Sequence, residues 1–164
     1  MIGGADAVPG LEIRWHSGDR AVLRRLFELA DDSSQQLDRY VELGRVLVAV
    51  DEGLTVGYLQ LVDGDAATGE VELRSLAVGE DRWRRGIGAA LVERAVAECR
   101  AAGARTLLVG TAAADVGNLR FYQLLGFRML RVERDAFTVR DGYPEGLEID
   151  GIPLRDRVWL AIAL

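Results

Sequence analysis

The sequence contains no lysine, so all 20 of its basic residues are arginine. This absence excludes a mononucleotide-binding P-loop, because that motif requires a lysine after its last glycine. Cysteine is almost as scarce: Cys99 stands alone, and a single thiol excludes an intramolecular disulfide. Because Cys99 falls within a helical pattern of apolar residues, we predict a core residue rather than a nucleophile. One free thiol also fits a reducing compartment.

Basic residues are fewer than acidic ones, 20 against 26, and the net charge is −6. This charge disfavours attraction to nucleic acid and to anionic membrane surfaces. No apolar run approaches the roughly 18 residues that a membrane-spanning helix needs. The start of the chain, MIGGADAVPG, lacks the basic and apolar regions of a signal peptide. The sequence therefore predicts a cytoplasmic location, with neither nucleic acid nor a membrane as partner.

The periodicity of apolar residues predicts alternating strands and helices. A strand over LEIRWHS precedes two helices separated at DDSS, then three strands, then a helix over residues 86–102. A strand over RTLLVGT, a helix over NLRFYQLLG and two strands separated by a Gly/Pro-rich loop complete the chain. We predict a flexible N-terminus over residues 1–10 and a single domain over residues 11–164. The element order indicates an α/β fold, a mixed sheet with helices on both faces.

The stretch RWRRGIG places arginines and two glycines at the start of the long predicted helix. The first N–H groups of a helix have no partner within it, and the helix dipole adds positive charge there. Gly86 and Gly88 carry no Cβ, so a phosphate can approach the backbone closely. Arg84 and Arg85 add charge. The pattern predicts an anion site, and an ordinary helix start with a solvated basic rim is the alternative.

The residues around the two glycines indicate which phosphate-containing ligand fits this site. A dinucleotide-binding fold needs a third glycine, where this chain has Leu91, and an acidic residue after the next strand, which ends in LLVGT. Coenzyme A has a pyrophosphate and also a pantetheine arm whose amides need backbone partners. The strand LRSLAV, directly before the glycines, can supply those partners, so coenzyme A fits better than a dinucleotide.

Two sequence blocks resemble motifs of the GNAT superfamily of acetyl-CoA-dependent N-acetyltransferases. LAV, with the first glycine of GIGAALV at the eighth position after it, resembles motif A, and GNLRFYQLLGFR over residues 117–128 resembles motif B. The helix, strand and loop between the two blocks match as well. The family usually has Gln or Arg where this chain has Trp83. The tail GYPEGLEIDGIPLRDRVWL is similar to a bacterial branch of the family whose substrate is unassigned.

The resemblance implies a mixed, mostly antiparallel central sheet, with acetyl-CoA as co-substrate. No Cys, His or Asp cluster of the sequence has metal-ligand spacing, so we predict no metal. It implies acetyl transfer to a primary amine by direct attack in a ternary complex. A non-catalytic acyl-CoA-binding or sensing domain is the alternative, because a fold alone does not establish turnover. The cofactor-binding residues implied by the two motifs are Leu76, Ala77, Val78, Arg84, Arg85, Gly86, Ile87, Gly88, Ala89 and Asn118.

The resemblance also implies two catalytic residues. Tyr122 corresponds to the motif B tyrosine that protonates the departing thiolate, and packing against Phe127 is the alternative. Glu72 is similar in position to the glutamate base of some histone-acetylating members, and strand alternation places it on the same face as Val78. The alternatives are a surface position for Glu72, an ion pair with Arg74, or a base role for a water relay or for Glu70 in its place.

The acceptor is left open between a small-molecule amine and a protein amine. In the family the loop between the first helices and the tail loop border the acceptor site, and members often form dimers, so a homodimer also fits. We expect His16 to be solvated or structural. Asn118 and Asp115 are alternative caps for the motif B helix. The acidic residues that can give the acceptor side negative charge are Asp31, Asp32, Glu145, Glu148 and Asp150.

Overall fold

The computed structural model describes residues 8–164, so most of the predicted flexible N-terminus lies outside the described residues. The α-helices are α1 (Arg24–Ala30), α2 (Ser34–Tyr40), α3 (Ile87–Ala101) and α4 (Val116–Leu124), and short 3-10 helices cover Arg20–Leu23, Glu80–Arg82 and Val139–Asp141. The strands are β1 (Leu11–Trp15), β2 (Arg45–Asp51), β3 (Leu54–Asp63), β4 (Glu70–Val78), β5 (Thr106–Ala112), β6 (Arg128–Glu133), β7 (Glu148–Ile149), β8 (Ile152–Pro153) and β9 (Arg157–Ala163).

Seven strands form one sheet in the order β1-β2-β3-β4-β5-β9-β6, and β7 and β8 form a separate hairpin. Within the described chain, β4 and β5 are the only neighbouring strands that run parallel, because α3 returns the chain to the end at which β4 began. The prediction of a mixed, mostly antiparallel sheet is confirmed.

Helices cover both faces of this sheet, as predicted. On one face, which we call the α1–α2 face, Phe27 and Tyr40 pack against Val48 and Tyr58. On the other, the α3 face, Cys99 is fully buried and so occupies the core, as expected. The other buried residues of α3 on that face are Ile87, Leu91, Val92, Ala95 and Val96.

The helix ends follow local sequence signals. Side-chain oxygens of Asp19 and Ser33 accept backbone hydrogen bonds and cap the first 3-10 helix and α2. Asp115 caps α4 by accepting from the N–H of Asn118 at 2.8 Å, which decides between the two candidates. Gly103 ends α3 with φ +78°, a left-handed conformation that glycine adopts without strain.

A β-bulge interrupts β4 at Arg74. The neighbouring β3 residues Gln60 and Leu61 pair with Ser75 and Leu73, respectively, so Arg74 is an extra residue in β4. An extra residue bends the strand and reverses the alternation of its side chains.

The bulge overturns one sequence-based expectation. Leu73 before it and Leu76 after it both pack on the α3 face, as does Val78, whereas Ala77 packs on the α1–α2 face. Glu72, next to Leu73, therefore points to the α1–α2 face. The prediction that Glu72 and Val78 share a face is wrong, because simple period-2 alternation does not hold across a bulge.

Candidate active site

Strands β4 and β5 diverge halfway along their length. Their last paired residues are Leu73 and Val109, yet β4 continues to Val78 and β5 to Ala112. The bulge at Arg74 follows this last pair directly. A cleft of about 920 Å³ lies at the divergence and is lined by residues from both faces of the sheet. The part of β4 beyond the bulge therefore presents a backbone edge that β5 does not cover.

The backbone of Leu76 and Val78 faces this open edge. The N–H of Gly79 donates to the carbonyl of Val56 in β3 at 2.8 Å. In an antiparallel pair the direction of the backbone groups alternates, so Ala77 also directs its groups to β3. Leu76 and Val78 direct theirs into the cleft, where an extended ligand with amide groups can pair with them. Of the three predicted residues on this strand, Ala77 lines the cleft without offering its backbone.

The N-terminus of α3 lies at one end of the cleft without a side-chain cap. Its N-cap residue is Gly86, with φ +77°, a conformation that a residue with a Cβ adopts only under strain. The N–H groups of Ile87, Gly88 and Ala89 lack intrahelical partners, and these residues line the cleft. A Cβ built at Gly88 would meet Phe121 at 3.5 Å, an ordinary van der Waals distance, so a methyl group fits here and a larger side chain crowds Phe121. The geometry fits a pyrophosphate.

The three arginines before the glycines differ in their surroundings. Arg82 forms ion pairs with Asp51 at 3.1 Å and Asp81 at 2.9 Å, so it is committed to holding the loop. Arg84 and Arg85 are exposed, and neither forms an ion pair within residues 8–164. Arg84 lines the cleft, and its φ of +62° is strained for a non-glycine residue. Arg85 does not line the cleft.

Trp83 is a cleft residue whose contact the sequence did not predict. Its indole Nε1 donates a hydrogen bond to the carbonyl oxygen of Val78 at 2.7 Å, while 60% of the residue stays exposed beside the cleft. The bond ties the glycine loop to the end of β4. Its only sequence signal was the departure from the Gln or Arg usual at this position.

Tyr122 lies on α4 and borders the cleft from the α3 face. Its ring contacts Phe121 and Phe127 edge-on, with centroids 5.0 and 5.6 Å apart. Within the described chain no hydrogen bond holds its hydroxyl, and burial raises the pKa of the phenol, which keeps it protonated. Tyr122 therefore packs against Phe127, as the alternative to a catalytic role predicted, and its hydroxyl remains free to act as a donor. Asn118, one turn earlier, is exposed and lines the same cleft.

Glu72 lines the cleft from the α1–α2 face. Its Oε1 accepts a hydrogen bond from Arg74 Nη1 at 3.1 Å, and both side chains are about 70% buried, with 27% and 29% exposed. Arg74 also stacks over the ring of Tyr40, 4.7 Å from its centroid. The ion pair that was one alternative for Glu72 is therefore present, and the role of Glu72 as a base stays a prediction.

The far end of the cleft is closed by Asp31 and two tyrosines. Asp31 Oδ1 accepts from the N–H of Ser33 at 2.9 Å and from the hydroxyl of Tyr143 at 3.2 Å, and Oδ2 accepts from the hydroxyl of Tyr40 at 3.2 Å. Burial, followed by the charge of Asp31, raises the pKa of both phenols, so they remain neutral donors. These bonds join the α1–α2 loop to the tail segment.

Other predicted residues fall outside this arrangement or add little to it. Asp32 is exposed and lines the cleft. His16 does not line it, and its Nε2 lies 3.2 Å from the carbonyl oxygen of Asp19, which fits a structural role. Residues 8–164 contain no cluster of three or more His, Cys, Asp or Glu able to hold a metal ion. Three further acidic residues do not line the cleft: Glu145, Glu148 and Asp150.

Comparison with known proteins agrees with this geometry. Residues 12–127 match the model of the acetyltransferase (GNAT) family. An uncharacterized N-acetyltransferase of Bacillus subtilis, YvbK, is 32% identical over 139 residues, which cover 85% of this chain and 87% of that protein.

Solved structures extend the similarity across the fold. A GNAT family acetyltransferase from Elizabethkingia anophelis with acetyl-CoA bound superposes with a TM-score of 0.86 at 27% identity, covering 95% of this chain and 99% of that one. An IAA acetyltransferase from Bacillus cereus gives a TM-score of 0.84 at 32% identity, with coverage of 94% and 99%.

Proposed function

Because the chain belongs to the GNAT acetyltransferase family and is an acetyl-CoA-dependent N-acetyltransferase, we propose that it acetylates a primary amine by direct attack within a ternary complex. The observation that carries the proposal is the divergence of β4 and β5 after Leu73 and Val109. The resulting cleft reaches from the N-terminus of α3 to Asp31 and Tyr40 on the opposite face. Two substrates can therefore meet inside one cleft, as a direct transfer requires.

In this proposal the N-terminus of α3 and the open edge of β4 hold acetyl-CoA. The backbone groups of Leu76 and the N–H of Val78 pair with the pantetheine amides, because the carbonyl of Val78 already accepts from Trp83. The N–H groups of Gly88 and Ala89 bind the pyrophosphate, and Arg84 adds positive charge next to them. The uncapped first turn of α3 and the uncovered edge of β4 support this assignment.

Tyr122 assists the departure of the thiolate. Attack by the amine forms the new C–N bond, and collapse of the tetrahedral intermediate breaks the C–S bond. The Tyr122 hydroxyl donates a hydrogen bond, and then a proton, to the departing sulfur. Burial raises the pKa of this phenol and so keeps the hydroxyl protonated until charge develops on the sulfur.

Glu72 removes the proton from the incoming ammonium, directly or through water, so that a neutral amine attacks. Its position on the α1–α2 face, the face of Asp31 and Tyr40, supports this role, because the acceptor enters from that side in our proposal. Arg74 holds the carboxylate in place. Because Glu72 lies on the α1–α2 face and not on the face of Val78, it is nearer to the proposed acceptor than strand alternation predicted.

The only cysteine argues against an acetyl-enzyme intermediate. Cys99 is fully buried in α3, and burial raises the pKa of its thiol, so it is a poor nucleophile without access to the cleft. Within residues 8–164 the cleft lining includes no cysteine. Direct transfer is therefore the simpler route.

Steady-state kinetics tests this function. Thiol release is measured with a panel of small amines and of peptides with free amino groups, and mass spectrometry identifies the acetylated product. For an accepted amine, initial rates at varied concentrations of both substrates should give intersecting double-reciprocal lines. Parallel lines, or an acetylated enzyme isolated without acceptor, would contradict the ternary complex, and failure of every amine would contradict N-acetylation.

A cytoplasmic location and a homodimer stay predictions. Among residues 8–164, no helix has the length and apolar character needed to cross a membrane. Gel filtration with light scattering tests the homodimer.

A further inference from the structure

The carboxylate of Asp31 is held by donors but has room for one more. An ionised carboxylate offers about four lone-pair directions. Ser33 N–H, Tyr143 OH and Tyr40 OH use three of them, two on Oδ1 and one on Oδ2. Asp31 lines the cleft, and one lone-pair direction on Oδ2 has no donor among residues 8–164.

This carboxylate also lacks a cation of its own. No arginine or histidine nitrogen of residues 8–164 lies within 4 Å of it. The arginines on this side of the cleft are engaged elsewhere: Arg74 pairs with Glu72 at 3.1 Å, and Arg157 pairs with Glu133 at 3.2 Å. A partly buried charge normally has a counter-charge, and here the cleft leaves that position open.

Aromatic rings around Asp31 strengthen its electrostatic attraction for a cation. Tyr40 and Tyr143 flank the carboxylate through their hydroxyls, and Phe137 packs edge-on against Tyr143 with centroids 5.1 Å apart. All three rings line the cleft. Apolar walls exclude water and lower the local dielectric, so an ion pair formed there is stronger than one at an open surface.

We infer that Asp31 binds a second cationic group of the acceptor, so that the acceptor is a diamine or another amine with a further positive charge. This inference rests on the proposed function. In this inference the bound cation is not the reacting amine, because Glu72, and not Asp31, takes the proton from the amine that attacks the thioester. Asp31 thus selects the substrate, while Glu72 and Tyr122 act on the amine that reacts.

Acceptors matched in length test the inference. Straight-chain monoamines of three to six carbons are compared with the α,ω-diamines of the same length and with ω-amino acids, which place a carboxylate where the diamine has its second ammonium. The wild-type enzyme should prefer the best diamine over its monoamine by at least about 10-fold in kcat/KM, the scale of one charge-assisted hydrogen bond. The amino acid should be the poorest of the three.

Asp31→Asn is the decisive variant, because its amide oxygen can still accept from Ser33 and Tyr143 while the charge is lost. It should raise the KM for the diamine about 10-fold, leave kcat within about 2-fold and leave the monoamine KM unchanged. Asp38→Asn removes the same charge from the exposed surface of α2, where Asp38 pairs with Arg24, and should change neither KM.

The outcomes separate this inference from the proposed function. Release of thiol with monoamines and diamines at equal kcat/KM would overturn the role of Asp31 and leave N-acetylation intact. If Asp31→Asn lowers kcat/KM equally for monoamine and diamine and also lowers the melting temperature, Asp31 only joins the α1–α2 loop to the tail segment. If none of the amines tested supports turnover, that result would instead refute the proposed function.

Discussion

The indole nitrogen of Trp83 donates a 2.7 Å hydrogen bond to the carbonyl oxygen of Val78. This bond joins the loop before α3 to the end of β4, the two elements proposed to hold the pyrophosphate and the pantetheine arm. Trp83 therefore fixes the distance between two parts of one binding site. A Gln or Arg at this position, as the family usually has, would reach the neighbouring groups with a flexible side chain.

Removal of this bond should weaken coenzyme A binding. Trp83→Phe keeps an aromatic ring and deletes the N–H donor. A neutral hydrogen bond contributes about 0.5–1.5 kcal/mol, so calorimetry should show a Kd for coenzyme A raised about 2- to 10-fold, with kcat nearly unchanged. Trp15→Phe, on β1 away from the cleft, is the matched control. Equal Kd values for wild type and Trp83→Phe would show that the bond does not position the site.

A bulky side chain at Gly88 in the first turn of α3 should also weaken binding. Gly88→Val places two methyl groups where the proposed pyrophosphate approaches the backbone. Each charge-assisted hydrogen bond lost costs about 1.5–3 kcal/mol, so affinity for coenzyme A should fall at least about 10-fold by calorimetry. Gly88→Ala, whose Cβ meets Phe121 at an ordinary 3.5 Å, should fold normally and lose less. Unchanged affinity in a folded Gly88→Val protein refutes the anion site.

The hydroxyl of Tyr122 should matter for turnover and not for stability. Tyr122→Phe keeps the edge-on contacts with Phe121 and Phe127 and removes only the oxygen. Assistance to a leaving group is typically worth about 10²-fold or more, so kcat at saturating acetyl-CoA should fall by that factor, with little change in melting temperature. Tyr122→Ala, which removes the whole ring, should lower both kcat and the melting temperature. Full activity in Tyr122→Phe would reduce the residue to a packing role.

Glu72 is tested by removing its charge alone. Glu72→Gln should lower kcat about 10²- to 10⁴-fold, the range of general-base catalysis, while the Kd for coenzyme A stays near the wild-type value. Glu70→Gln, two residues earlier on the same strand, provides the comparison and should retain turnover. If Glu72→Gln keeps full turnover, the amine loses its proton by another route, such as a water relay.

The sequence already contained local features of the fold. Asp19 and Ser33 cap their helices and Gly103 ends α3 because each acts through backbone atoms a few residues away. The two motif blocks likewise fix the GNAT family, and the match over residues 12–127 confirms that interpretation. Relatives named as N-acetyltransferases favour the enzyme over a non-catalytic binding domain.

Several features of the site that depend on contacts between distant segments were predicted wrongly or were not predicted. The bulge at Arg74 arises from the pairing of β4 with β3, and it moved Glu72 to the face opposite Val78. Arg82 and Arg84 stand two residues apart in one basic stretch. Only the fold commits Arg82 to Asp51 and leaves Arg84 beside the cleft.

Sequence alone determined the order of the main helices and strands, several of their caps, and the family of the chain, because propensity, capping and motif spacing are properties of neighbours along the chain. The tertiary structure decided the direction of each side chain and its partner. Asp31 shows why: its carboxylate is oriented by Tyr143, 112 positions away, and its lack of a counter-charge appears only once Arg74 and Arg157 have found other partners. Such a balance of charges is set by the three-dimensional distances between groups.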